Sequence, residues 1–283
     1  MKLKDVALIK AIHDFFQIYL PKQKCYSGNT VASYKYAFNL FLDYMSESKS
    51  ISLFELSIND VNKDNINGFL EWLTVKRQNS SSTCNQRLMA LRSFAKYLGL
   101  NDFSLSSVYA GVCAVPAKKK NSKIVEFLSE PALIELLNQP DTRKSKELRN
   151  QFFMILMYDT AARCQELLDI RIKDLSISSG APFVYLTGRG NKIRTVPLMD
   201  TTVRHLLNYL SIFHPEYQKY GDKYLFYVVT HGVSHRMSTD TVETFMKKYG
   251  KSALQNCPDV PKQVHPHQLR HYGECFKMGS DCS

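Results

Sequence analysis

The feature that most restricts this chain is a change in the period of its apolar residues. Over the first third they return at helical spacing: Leu8, Ile12, Phe15, Tyr19; then Val31, Tyr34, Phe38, Phe41, Met45; then Ile66, Phe69, Leu70, Leu73; then Leu88, Leu91, Ala95, Leu98. Residues three and four apart share one helix face, so four helices are predicted between about Leu8 and Leu105. Pro21 is expected to stop the first helix. Ser27-Gly28-Asn29-Thr30 opens the second, and Ser82 or Thr83 opens the fourth. The fourth helix turns Asn85, Arg92 and Lys96 away from its apolar side. Helices of this length with one apolar face each pack as a small bundle.

The bundle pattern ends at Ala114-Val115-Pro116-Ala117, which runs into Lys118-Lys119-Lys120-Asn121-Ser122-Lys123. A proline followed by positive charge predicts a solvated, extended tether. Such a tether either lies along a polyanion or serves only as a flexible link. Helices resume after Ser129-Glu130-Pro131, and a strongly apolar one holds Phe152, Phe153, Ile155, Leu156 and Met157. The period then falls to two. Residues 183–187 and 194–198 read as strands joined by the turn Gly188-Arg189-Gly190-Asn191-Lys192. Two more helices carry Val203, Leu206, Leu207, Leu210 and Val242, Phe245, Met246, Tyr249. The predicted organisation is mainly α: a helical bundle over 1–113, a basic linker over 114–125, and a mixed α+β domain with a small antiparallel sheet over 126–283.

Net charge narrows the partner. The chain carries a formal charge of +11 and a pI near 9.2, which points to a polyanion. Nucleic acid is the first candidate and an acidic membrane surface the second. The 7 cysteines show no CxxC spacing, so neither a zinc site nor a disulfide framework is expected, and they read as thiols of a reducing compartment. Lys4, Asp5, Lys10, His13 and Asp14 interrupt the N-terminal stretch, which fits neither a signal peptide nor a membrane span. A cytoplasmic protein is expected.

Several segments, in order, resemble the tyrosine recombinase (phage integrase) family. Ser27-Gly28-Asn29-Thr30 with Tyr34, and Ser82-Thr83-Cys84-Asn85-Gln86-Arg87-Leu88 followed by Leu91-Arg92-Ser93-Phe94, are similar to its N-terminal DNA-binding, SAM-like domain. Thr160-Ala161-Ala162-Arg163-Cys164-Gln165-Glu166-Leu167 resembles its first arginine motif, and Gly188 to Arg194 its strand-turn-strand lysine motif. His265-Pro266-His267-Gln268-Leu269-Arg270-His271 resembles its HxxR box, the most specific of the set.

The resemblance implies DNA breakage and rejoining through a 3′-phosphotyrosyl link, with no cofactor and no metal. A phosphodiester is negative and its pentavalent transition state more so. Two arginines can hold the non-bridging oxygens through charge-assisted forked hydrogen bonds, and positioned charge is usually the largest catalytic contribution. By resemblance Arg163 and Arg270 are the phosphate clamp, and His267 is the acid/base or a phosphate ligand. His271 reads as packing or as a support for the residues that hold the phosphate. Glu166, one turn from Arg163, either orients it or is an ordinary surface charge. Much of the family has a lysine between the two turn glycines, where this chain has Arg189. Either Lys192 donates the proton to the leaving oxygen, or Arg189 assists by charge alone, since arginine stays protonated. Asn85, Arg87, Arg92, Lys96 and Lys118, Lys119, Lys120 are expected on DNA, mostly on phosphate.

One family element is not found. The attacking tyrosine should lie a few tens of residues past the HxxR box, whereas Tyr272, two residues after Arg270, is the last tyrosine. A cleavage-deficient chain is therefore expected. The family implies a clamp around double-stranded DNA and a tetramer on it; for this chain weak or no self-association is expected. The rival reading is a non-catalytic DNA-binding protein that occupies or regulates recombination sites.

Overall fold

The computed structural model describes residues 4–119, 128–177 and 180–278. They form two compact units, residues 1–123 and 124–283.

In the first unit α1 (Val6–Asp14) continues directly into a π-helical stretch, Phe15–Gln23. The predicted stop at Pro21 is not observed: the proline lies inside this stretch. In a wider turn the proline ring is relieved of its clash with the carbonyl four residues back, and the Lys24 N–H accordingly reaches Tyr19 O, five residues away, at 2.8 Å. Packing rewards the change, because Phe15, Phe16 and Tyr19 are all buried against the rings of Phe38, Phe94 and Tyr97.

The helices α2 (Gly28–Lys49), α3 (Lys63–Val75) and α4 (Ser81–Asn101) complete the bundle. Side-chain oxygens at their N-caps set their starts: Ser27 accepts from Thr30 N–H, Asn62 from Asn65 N–H and Ser80 from Thr83 N–H. Ser80, two or three residues before the expected start, caps α4. A further short helix, α5 (Ser106–Cys113), packs on α4.

The described start of the expected tether is docked instead of solvated. Val115 is fully buried in the bundle core. Asn85 Nδ2 donates to Lys118 O and Asn85 Oδ1 accepts from Lys118 N–H, both at 2.8 Å. An apolar residue at 115 and a side-chain amide that mimics a β-bridge outweigh the solvation of the neighbouring lysines.

The second unit begins with α6 (Glu130–Asn138), capped by Ser129, and α7 (Ser145–Thr160). Then come α8 (Cys164–Leu168), β1 (Leu175–Ser176), β2 (Phe183–Thr187) and β3 (Ile193–Pro197). The three strands make an antiparallel sheet in the order β1-β2-β3, with Val184 opposite Val196 and Leu186 opposite Arg194. After α9 (Asp200–Phe213) a second hairpin, β4 (Tyr227–Thr230) and β5 (Val233–Arg236), turns at His231-Gly232, both with positive φ. The last helices are α10 (Thr239–Asn256) and α11 (Pro266–Met278). Phe152, Phe153, Tyr209, Phe226 and Phe245 fill the core between α7, α9 and α10.

Candidate active site

The site is organised by the C-terminal end of α7. Asp159 and Thr160 are buried. Asp159 Oδ2 accepts from Met199 N–H at 2.9 Å, which ties this end to the start of α9. Ala161 then takes left-handed backbone (φ 50°), Ala162 is fully buried, and Arg163 stands extended as the residue capping α8. The arginine lies outside both helices with its side chain 53% exposed.

Glu166 holds it there. This residue is 5% exposed and occupies the first turn of α8. Its carboxylate accepts from Arg163 N–H (2.9 Å), Arg163 Nη1 (2.8 Å) and Arg194 Nη2 (2.6 Å). Burial works against its charge, yet the hydrogen bonds from Arg194 and from the Arg163 backbone and side chain prevail and hold its pKa at about 2. A buried carboxylate with two cationic partners is an orienting group, not a surface charge.

Arg194 was not singled out from the sequence. It sits on the inner face of β3, in step with Val196 and paired with Leu186. A charge at an inward position of a period-two pattern was the available signal. The turn before it comes close to the same carboxylate: a Cβ on Gly188 would lie 3.2 Å from Glu166 Oε1 and 3.4 Å from Arg194 Nη1. Gly188 N–H donates to Lys192 O at 2.7 Å and closes the turn, and Gly190 and Asn191 supply the positive φ it requires. Lys192 is exposed on this turn. Arg189 belongs to the turn, but its side chain lies outside the described residues.

The HxxR box opens α11. Pro266 is its first residue, and Gln268 Oε1 reaches back to accept from His265 N–H at 2.7 Å. Leu269 is fully buried, Arg270 half-buried, and His267 and His271 are exposed. His267 and Arg270, three apart, share one face of the helix. The helix α11 packs on α7 through the close approach of Gly273 to Tyr158 and through the Tyr158 and Tyr272 rings, whose centroids are 5.9 Å apart. Tyr158 precedes Arg163 by five residues, so the helix carrying the HxxR box is anchored on the helix whose end carries the first arginine motif. Burial, with the Glu130 carboxylate, pushes the Tyr272 hydroxyl above the usual tyrosine range.

In the N-terminal unit, Arg92 Nη2 donates to Val115 O (2.5 Å) and Cys113 O (3.2 Å), so Arg92 and Asn85 are both engaged within the protein by the segment 113–118. The Arg87 guanidinium stacks over Tyr36, 4.7 Å from its ring centre. Lys118 Nζ donates to Thr74 Oγ1, while Lys96 and Lys119 are exposed. Lys120 lies outside the described residues.

Two family models match. Residues 126–274, more than half of the chain, match the phage integrase family, and residues 13–100 match the phage integrase N-terminal SAM-like domain. The chain belongs to the phage integrase family. Among curated proteins it is 28% identical over 267 residues to the tyrosine recombinase XerD of Staphylococcus epidermidis, covering 93% of this chain and 82% of the relative. It is 27% identical over 269 residues to a putative integrase/recombinase, y4rC, of Sinorhizobium fredii, covering 95% and 79%. Its fold is that of the XerH recombinase in a post-cleavage complex with palindromic difH (TM-score 0.63, 18% identity, 98% of this chain and 79% of the other). It is also that of a lambda integrase tetramer on a Holliday junction (TM-score 0.65, 12% identity, 98% and 72%). This integrase-family chain is thus a tyrosine recombinase by relationship, with a helical N-terminal domain and a catalytic-type domain carrying small antiparallel sheets. Among the described residues no helix is long and apolar enough to cross a membrane.

Proposed function

We propose that this chain binds double-stranded DNA at a recombination site and holds one phosphodiester for strand exchange between Arg163 and Arg270. His267 is the proton-handling or phosphate-binding group, and Lys192 serves the leaving oxygen, with Arg189 lending charge. The observation that carries this reading is the Glu166 carboxylate, which fixes Arg163 from its buried side. About half of the side chain remains exposed to meet an anion. Arg87, Lys96, Lys119 and Lys120 supply phosphate contacts from the N-terminal half, and Asn85 and Arg92 act by fixing the segment that carries Lys118. No cofactor or metal is needed, because the covalent phosphotyrosyl link would conserve the bond energy. Assembly on DNA follows the tetramer, with weak association off DNA.

Tyr272 is packed on Tyr158 with a firmly held proton, which argues against it as nucleophile and keeps a second reading open: occupancy of the site without cleavage. The test selects bound fragments from a random duplex library, then measures occupancy under competitor DNA. Arg163→Ala and Arg270→Ala are each expected to lower occupancy by about 10-fold or more, the worth of a charge-assisted hydrogen bond. Unchanged occupancy in both variants refutes the clamp. A denaturant-resistant protein–DNA adduct selects cleavage by this chain, and its absence with occupancy intact selects the second reading.

A further inference from the structure

Arg149, in the first half of α7, is 4% exposed, the most buried cation among the described residues. Its guanidinium donates from Nε and Nη2 to Asn150 Oδ1 (3.3 and 3.0 Å) and from Nη1 to the backbone oxygen of Tyr227 (3.1 Å). Every one of these acceptors is neutral. The ionisable groups that face it are the hydroxyls of Tyr209, Tyr249 and Tyr227, and burial lowers its pKa. Burial raises the pKa values of Tyr209 and Tyr249, so neither supplies negative charge at neutral pH. Less buried arginines of this protein do have carboxylates: Arg163 and Arg194 share Glu166, and Arg236 pairs with Asp169. An interior guanidinium stays charged, and a buried charge left without a counter-charge is strongly destabilising.

Arginine has five N–H donors, and only three are used by these contacts. Arg149 and Asn150 form part of the wall of a cavity of about 500 Å³ between α7 and the first turns of α10. Lys146 and Lys248, both exposed, stand at it, with Thr241 beside them. Its two carboxylates are Glu147 and Asp240. Glu147 is occupied by Lys248 Nζ (3.0 Å) and Asp141 N–H (2.8 Å), and Asp240 lies in the first turn of α10, where the helix dipole favours it.

We propose that this cavity binds a small oxyanion, a phosphate group, with Arg149 as its principal ligand and Lys146 and Lys248 as the outer charges. The anion supplies the counter-charge that the fold omits, so its binding stabilises the C-terminal domain. A phosphate on a small molecule and a backbone phosphate share this chemistry.

Calorimetry of the full chain in inorganic phosphate tests this, against sodium chloride at equal ionic strength. Ligand linkage gives about 1.4 kcal/mol per tenfold rise in phosphate above the dissociation constant, and hence about 3 to 5 °C per tenfold in the midpoint of a domain of this size. Asn150→Asp places a carboxylate on the guanidinium and is expected to raise the midpoint without phosphate and remove the phosphate dependence. Arg149→Met is expected to remove the dependence as well. Arg163→Ala should keep it. With saturating duplex DNA, a retained dependence assigns the anion to a small molecule, and a lost one to the DNA backbone. No dependence in the unaltered chain overturns the proposal. So does a dependence that survives Asn150→Asp and disappears in Arg163→Ala, which would place phosphate at the recombination site.

Discussion

Replacing Glu166 with glutamine keeps the shape of the side chain and removes the charge that two arginines share. The carboxylate has an ordinary pKa of 4.5 and is held at about 2 in the folded chain. At about 1.4 kcal/mol per pH unit, that separation contributes about 3 kcal/mol of stability at neutral pH. Both arginine partners are half exposed, at 53% and 40%, so water takes over part of their solvation in the variant and the measured loss should fall at about 2–3 kcal/mol.

The sign of the pH dependence follows from the depressed pKa. The contribution is fully present above the unfolded value near 4.5 and is lost as pH falls through the folded value near 2. Urea unfolding of both proteins at several pH values measures it. The difference between them should be nearly constant from pH 7 to about 5 and shrink by about two fifths by pH 3.5. A difference under about 0.5 kcal/mol at pH 7, or one that does not narrow in acid, refutes the argument that this carboxylate is charged and doubly paired. DNA occupancy should fall in the same variant, because the single uncharged amide oxygen of glutamine cannot accept all three hydrogen bonds by which the carboxylate fixes Arg163 and Arg194.

Three further outcomes follow from the geometry. Gly273→Ala puts a Cβ 2.2 Å from the Tyr158 carbonyl oxygen, a backbone atom that cannot move aside, and should cost about 2–3 kcal/mol in denaturant unfolding, whereas Gly111→Ala meets no atom within 4 Å and should be near neutral. Asn85→Ala removes both hydrogen bonds to the Lys118 backbone and should raise the rate of limited tryptic cleavage at Lys118 and Lys119 by about tenfold; an unchanged rate would show that the burial of Val115 and the hydrogen bonds of Arg92 and of the Lys118 side chain hold the segment without Asn85. Burial, with the Glu243 carboxylate, pushes the Cys164 thiol from 9.0 up to about 11, so at pH 8 it should alkylate at least about a hundredfold more slowly than the exposed Cys113, as read by peptide mass mapping.

The helices and the three motif segments were legible because each rests on a local rule. Apolar residues at helical spacing marked α2, α3, α4, α7, α9 and α10, and Gly188 to Lys192 marked the hairpin whose strands are seen at 183–187 and 193–197. What escaped depends on partners distant in sequence. The π-helical stretch exists because Phe15, Phe16 and Tyr19 pack on α2 and α4, which Pro21 alone does not reveal. The β4–β5 hairpin has exposed residues all along β5 and no alternation, and its turn is His231-Gly232 instead of the more recognisable Asn-Gly pair. The docked segment 114–118 was masked by the lysines that follow it, since composition weighs three charges above one valine.

The same reasoning explains why Glu166 was the undecided residue of the motif. Its spacing from Arg163 fits an exposed i,i+3 pair, which contributes a few tenths of a kcal/mol, as well as it fits a buried one. Only the hairpin separates the two cases, because Arg194 arrives on β3 and Gly188 permits the turn to approach within contact of the carboxylate. Arg163 motif and hairpin are therefore one electrostatic unit. Any change that loosens the Gly188 turn, including a side chain at 188, should act on Arg163 through Glu166 before it acts on Lys192, and a Gly188→Ala variant that lowers DNA occupancy while Lys192→Ala leaves it unchanged would carry that signature.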